Sequence, residues 1–159
     1  MPKSPAKQEY ADPTTAPLFS PRFVIALLLM ILGVAWIVFY YVVVRVDPTV
    51  IPAPKAGGPK VFETLTDLKG VNWNYVGGFV LLFLGLGLCA HPKTPLGRGQ
   101  GVVVGMLGCF LVGLVWICTF YVVSDDPSAL PVINDLGQYN LLVGIAFMAV
   151  GFTFATRWE

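Results

Sequence analysis

Four stretches of this chain, residues 23–44, 73–90, 102–123 and 139–156, run for 18 residues or more without a single aspartate, glutamate, lysine, arginine or histidine. A bilayer core about 30 Å thick takes about 20 mostly apolar residues per helix, so each stretch is read as a transmembrane helix. The second and fourth are the shortest, and 18 residues at 1.5 Å per residue reach about 27 Å. The aromatic residues Trp73, Tyr75 and Tyr139 at their starts suit the membrane interface. Only 12% of the residues are charged, against about 25% in soluble domains. The first stretch is longer than the apolar part of a signal peptide and no small-residue cleavage site follows it, so it is read as retained.

The second organising feature is an internal repeat. Gly33-Val-Ala-Trp36-Ile37 recurs as Gly113-Leu-Val-Trp116-Ile117, and at the same spacing Tyr41-Val42-Val43 recurs as Tyr121-Val122-Val123. After a slip of one residue, Asp47-Pro48 and Pro52 match Asp126-Pro127 and Pro131. Further on, Asp67-Leu68 matches Asp135-Leu136, and Trp73-Asn74 with Gly78 and Gly85 matches Tyr139-Asn140 with Gly144 and Gly151. Each copy crosses the membrane twice, so both enter in the same orientation and the repeats are parallel. The expected fold is therefore all-α and integral to the membrane, four transmembrane helices arranged as two tandem parallel-repeat helical hairpins. Such a duplication suggests an ancestor of two helices that worked as a dimer, and homo-oligomers remain an option for this chain.

The organisation follows. Residues 1–21, rich in Pro, Ser, Thr and Ala, form a disordered cytoplasmic tail, residues 22–91 the first hairpin, 92–100 a cytoplasmic loop, and 101–159 the second hairpin. Lys3, Lys7, Arg22, Lys93, Arg98 and Arg157 fall on one side, and Arg45, Lys55, Lys60 and Lys69 on the other. The positive-inside rule then places both termini in the cytoplasm and the protein in the plasma membrane as a multi-pass chain. In the first outer loop Phe62, Leu65 and Leu68 stand three apart, as on a short amphipathic helix at the membrane surface. In the second, Asp126 caps a short helix with Pro127 at its first position.

Several residues suit helix packing or partner binding. Gly101, Gly105, Cys109 and Gly113 recur every four residues and let another helix approach closely, either within the bundle or on a partner. Trp36 and Trp116 lie well inside their helices, where an indole N–H needs an acceptor, and serve either bundle packing or recognition of a partner helix. Asn74 and Asn140 open the returning helices and are read as satisfying free N–H groups there. Gly33 and Gly151 belong to the same repeat pattern, and Arg157 and Trp158 close the second copy.

Chemistry is absent from the pattern. Ion and proton relays need ionisable residues within the bundle, and the spans have none. Cys89, Cys109 and Cys118 offer neither a disulfide framework nor metal spacing. His91 has no second ligand or base beside it. No cofactor is expected, no nucleic acid, and no enzymatic activity; the partners are membrane lipid and other proteins.

From Gly113-Leu-Val-Trp116-Ile117 through Phe120-Tyr121, Leu136-Gly137-Gln138-Tyr139-Asn140, Gly144, Phe147, Gly151-Phe152 and Thr156-Arg157-Trp158, the C-terminal half resembles the CrgA family of actinobacterial cell-division membrane proteins. The opening Met1-Pro2-Lys3-Ser4 is similar too. The first hairpin resembles the family more faintly, through the repeat. Family members are small two-helix proteins, so the chain looks like a CrgA with its hairpin doubled. The resemblance implies a non-enzymatic adaptor or regulator at the division septum, acting with the tubulin-like GTPase FtsZ and with septal peptidoglycan synthesis proteins such as the penicillin-binding protein FtsI. The family's basic run after Met-Pro-Lys-Ser is missing, and the first copy ends in Cys89-Ala90-His91-Pro92-Lys93 where the second ends in Thr156-Arg157-Trp158-Glu159. A small transporter, or a structural subunit of another membrane complex, is the alternative reading.

Overall fold

The computed structural model describes residues 20–46, 57–66, 72–123 and 130–156, and among them every regular element is helical. Helix α1 spans Pro21–Phe39 and α2 spans Lys60–Thr66. They are followed by α3 (Trp73–Cys89), α4 (Gln100–Val123), α5 (Pro131–Leu136) and α6 (Tyr139–Ala155). Beyond Phe39 the first helix continues as a wider π turn, Tyr40–Val44, closed by the Arg45 N–H donating to the Tyr40 carbonyl at 2.9 Å. With that turn it reaches 24 residues, as does α4, and these two helices are long and apolar enough to cross a membrane. Helices α3 and α6 are equally apolar but have 17 residues each, the lower bound for a span.

The starts are encoded locally. Ser20 Oγ accepts from the Phe23 N–H at 3.2 Å with Pro21 at the first position of α1, and Asn72 Oδ1 accepts from the Asn74 N–H at 3.2 Å at the start of α3. Helix α5 opens at Pro131 after Leu130; the Asp126–Pro127 cap expected from the sequence lies outside the described residues, as does Leu68.

Helix α1 packs along α3 and α4 along α6, and the two hairpins meet chiefly where α3 crosses α6. The closest approaches repeat from one hairpin to the other. A methyl group on Gly33 would stand 2.6 Å from the Gly78 carbonyl oxygen, and one on Gly113 would stand 2.8 Å from that of Gly144. Gly78 in turn lies under Ile37, and Gly144 under Ile117. Toward the other end Gly85 abuts the Ala26 carbonyl and Met30, and Gly151 abuts the Met106 carbonyl and Phe110. Every one of these pairs keeps the sequence repeat. At Gly33, Gly85 and Gly113 backbone meets backbone with no room for a Cβ, whereas at Gly151 the fit is tight rather than closed.

Two apolar cores result. One joins both hairpins through Tyr40, Val44, Tyr75 and Phe79 of the first and Leu136, Val143 and Phe147 of the second. The other gathers Ala26, Cys89, Val102, Cys109 and Phe154 near the turn between α3 and α4.

Candidate functional site

The seam between the hairpins brings together the chain's most distinctive side chains. Edge-to-face rings line it: Trp116 on Phe79 at 5.8 Å and Phe83 on Phe147 at 4.9 Å between centroids. At its outer end Arg45 grips Asp135 with both arms of its guanidinium, Nε to Oδ2 at 2.5 Å and Nη2 to Oδ1 at 3.0 Å. Tyr75 donates its hydroxyl to the same Oδ2 at 3.0 Å. Both charged side chains are largely buried, at 12% and 20% exposure, and a bidentate pair in such surroundings is strong and directional. Around it Tyr40 packs edge-on against Tyr75 at 5.0 Å and its hydroxyl accepts from Asn72 Nδ2 at 2.6 Å.

Arg45 stands directly after the π turn, at its C-cap. Tyr40 and Val44, at the two ends of the turn, are buried in the core. Wider turns of this kind recur at functional positions in helices.

Asn74 and Asn140 are fully buried, but they do not cap their helices as the sequence suggested. They sit one residue inside, so their amides point back over the preceding segment. Asn74 Nδ2 donates to the Phe62 carbonyl at 2.9 Å and to Thr66 Oγ1 at 3.2 Å. Asn140 Nδ2 donates to the Ile133 and Gly137 carbonyls at 2.6 and 2.8 Å. Each therefore ties a short helix, α2 or α5, to the start of the helix that follows.

The two tryptophans occupy equivalent positions with different neighbours. Trp36 lies on Phe62 of α2, 4.7 Å between centroids, whereas Trp116 lies in the seam. Both Nε1–H groups are buried without an acceptor among the described residues. The small-residue face of α4 turns inward: Gly113 meets Gly144, Gly105 lies under the Phe154 ring, Cys109 is buried, and Gly101 backs onto the Pro95 carbonyl. Gly33 and Gly151 hold the close approaches already described. Arg157 and Trp158 lie outside the described residues.

Sequence reading missed three contributors. Arg45 counted there only as a topological charge, and Asp135 only as a repeat marker. The third is Thr94, fully buried at the turn between the hairpins, whose Oγ1–H points to the Cys89 and His91 carbonyls at 2.5 and 2.7 Å. A threonine in an otherwise unremarked loop carried no signal. The loss of symmetry at Arg45 did, since Ser124 and Asp125 stand at the equivalent place in the second copy.

Two troughs flank the seam. One, of about 790 Å³, runs between α1 and α4 over Phe79 and Phe147; the other, of about 560 Å³, lies between α3 and α6 below Asn72, Asp135 and Gln138. No group of three His, Cys, Asp or Glu side chains able to hold a metal occurs among the described residues.

Comparison with known proteins accounts for the doubled arrangement. The family model described as cell division protein CrgA matches residues 1–93 and matches again over residues 94–159. The chain belongs to the CrgA family. Each match holds one hairpin, α1 with α3 in the first and α4 with α6 in the second. A CrgA of Streptomyces avermitilis is 42% identical over 67 residues, which are 42% of this chain and 75% of that relative. That relative is thus little more than half as long as this chain. A CrgA of Mycobacterium avium is 36% identical over 78 residues, 44% of this chain and 84% of its own. One from Mycobacterium tuberculosis is 34% identical over 56 residues, 33% of this chain and 60% of its own. No solved structure matches.

Proposed function

We propose that this chain is a cell-division membrane protein in which two CrgA hairpins are fused, all four long helices span the membrane, and both termini face the cytoplasm. It works as a non-enzymatic adaptor or regulator at the septum, holding division proteins of the FtsZ-ring and septal peptidoglycan-synthesis classes, FtsI among them. The observation that carries the reading is the family match falling twice, once on each hairpin, with relatives named as cell division proteins.

Physical features support it. Few residues of α1 and α4 are buried, and large apolar side chains such as Leu28, Ile31, Val104 and Leu114 face outward. A core helix of a water-soluble protein would hide them, while lipid or a partner's helices would cover them at no penalty. The apolar stretches contain no Asp, Glu, Lys, Arg or His, the residues that ion and proton pathways use as stepping stones. An adaptor needs only outward faces, and these are plentiful.

A fluorescent fusion imaged through the division cycle, together with co-purification of septal synthases and FtsZ, tests the reading. Septal enrichment with at least one such partner is expected. Uniform membrane label throughout, with no division partner recovered, would refute it.

A further inference from the structure

We propose that this chain assembles head to tail with further copies of itself in the plane of the membrane, the exposed face of α6 in one copy docking on the exposed face of α3 in the next. The inference rests on the membrane-spanning reading above and does not depend on which side of the membrane the termini face.

The two hairpins meet through different faces of equivalent helices. Position by position in the repeat, Tyr75, Phe79, Phe83 and Leu86 of α3 correspond to Leu141, Ile145, Ala149 and Phe152 of α6. In the first hairpin Tyr75 and Phe79 are buried in the core that joins the hairpins, and Phe83 and Leu86 pack against it. In the second hairpin all four positions are exposed, Leu141 at 38%, Ile145 at 47% and Phe152 at 63%. The reverse holds for the face that α6 brings to the seam. Val143 and Phe147 are buried there, while their counterparts on α3 are Gly77, where a Cβ would meet nothing within 4 Å, and the half-buried Leu81. The Arg45–Asp135 pair is likewise one-way, because the second copy carries Ser124 and Asp125 where the first carries Arg45. A two-fold contact would use the same patch of both hairpins. This contact is heterologous, so it occupies one face of each hairpin and leaves the complementary pair of faces open.

The open pair is shaped for the same kind of contact. On α6, Leu141, Ile145, Ala149 and Phe152 fall on one side of the helix over a rise of about 17 Å. On α3, Gly77, Leu81 and the exposed Leu84 share one side likewise. Every copy sits the same way up in the bilayer, so α6 of one meets α3 of the next in parallel, as within the chain. Side chains are smaller on both faces than in the seam, with Ala149 in place of Phe83 and Gly77 in place of Val143. Small residues let helix backbones approach closely, which favours association in lipid. Trp36, the counterpart of the seam residue Trp116, is already covered by Phe62 of α2, so the junction runs along α3 and α6. With no counterpart of Arg45 it lacks a clasp, and the contact between chains is weaker than the one within. Lipid alone covers exposed apolar side chains anywhere on the bundle, but it does not account for the open faces being the counterparts of the two that join the hairpins.

The seam supplies the register for a test. Phe83 meets Phe147 at 4.9 Å between centroids, and the equivalent pair between chains is Ala149 of one copy and Leu81 of the next. The full chain, with its exposed cysteine removed by Cys118→Ser, is made in two tagged forms, one carrying Ala149→Cys and the other Leu81→Cys. The two are co-expressed and treated in native membranes with a short bismaleimide. A crosslinked product holding both tags is expected. Gly77→Leu in the Leu81→Cys chain should abolish that product and leave the melting curve in place, because a Cβ there stands in open space within a single copy. Leu28→Cys with Leu114→Cys, at exposed positions of α1 and α4 away from both faces, is the control for random collision. A mixed product no more abundant than the control's, or one unchanged by Gly77→Leu, would overturn the assembly. So would Ala149→Cys linking to itself in preference to Leu81→Cys, which would make the contact two-fold. Recovery of the chain outside the membrane fraction would instead sink the membrane-spanning reading, and this assembly with it.

Discussion

At the scale of single residues, the glycines separate into two kinds that the sequence does not distinguish. Gly33 and Gly113 stand where backbone meets backbone, whereas a Cβ on Gly77 or Gly87 meets nothing within 4 Å. Gly33→Ala or Gly113→Ala should therefore cost about 1–3 kcal/mol through overpacking. Gly77→Ala or Gly87→Ala should gain about 0.5–1 kcal/mol of helix stability. Thermal melting of the four variants in one detergent measures the contrast. Trp116 makes a second test, because its ring packs in the seam while its N–H is buried without an acceptor. Trp116→Phe keeps an aromatic ring and removes the orphan donor while giving up the rest of the indole, so it should cost far less than truncation. Trp116→Ala opens a cavity and should cost about 3–5 kcal/mol.

At the scale of elements, the π turn and the short helices explain how similar hairpins become different. Arg45, directly after the turn, pairs with Asp135, a residue of the other hairpin. Asp135→Asn should weaken the folded state by about 2–3 kcal/mol, since it leaves a largely buried guanidinium poorly paired. Deleting Val42 should restore a regular helix and rotate Arg45 off the seam. In that background Asp135→Asn should have little further effect, a non-additivity that a double-mutant cycle detects. Large additive losses would show that the clasp survives without the turn. Helices α2 and α5 have too few residues to persist alone, and the buried amides of Asn74 and Asn140 fasten them to their neighbours.

At the scale of the whole molecule, the two hairpins are joined among the described residues by the α3–α6 crossing, the aromatic seam, the Arg45–Asp135 clasp and the core around Ala26, Cys89, Cys109 and Phe154. Reporter fusions at the N-terminus, at the loop carrying Lys93 and at the C-terminus should all report the same side of the membrane, with a fusion beside Lys60 reporting the opposite one. Opposite reports from the two termini would contradict the paired-hairpin topology. The family relatives cover about one hairpin of this chain, so the seam lies between two units that each match the family separately.

What the sequence determined by itself is what local chemistry and periodicity decide. Apolar stretches free of charge become helices, because a helix satisfies its backbone N–H and C=O groups within the segment itself. Recurring Gly33/Gly113, Gly78/Gly144 and Trp36/Trp116 revealed the doubling. The long-range partners were out of reach: Arg45 and Asp135 are 90 residues apart, and no local pattern announces a pairing set by how two hairpins cross. The same limit explains Asn74 and Asn140, whose type fits a cap but whose position in the folded helix sends the amide backward. Only the tertiary structure decided that the small-residue face of α4 turns toward α6, and that equivalent tryptophans meet different neighbours. Packing breaks the repeat because each hairpin can cover only one flank of the other.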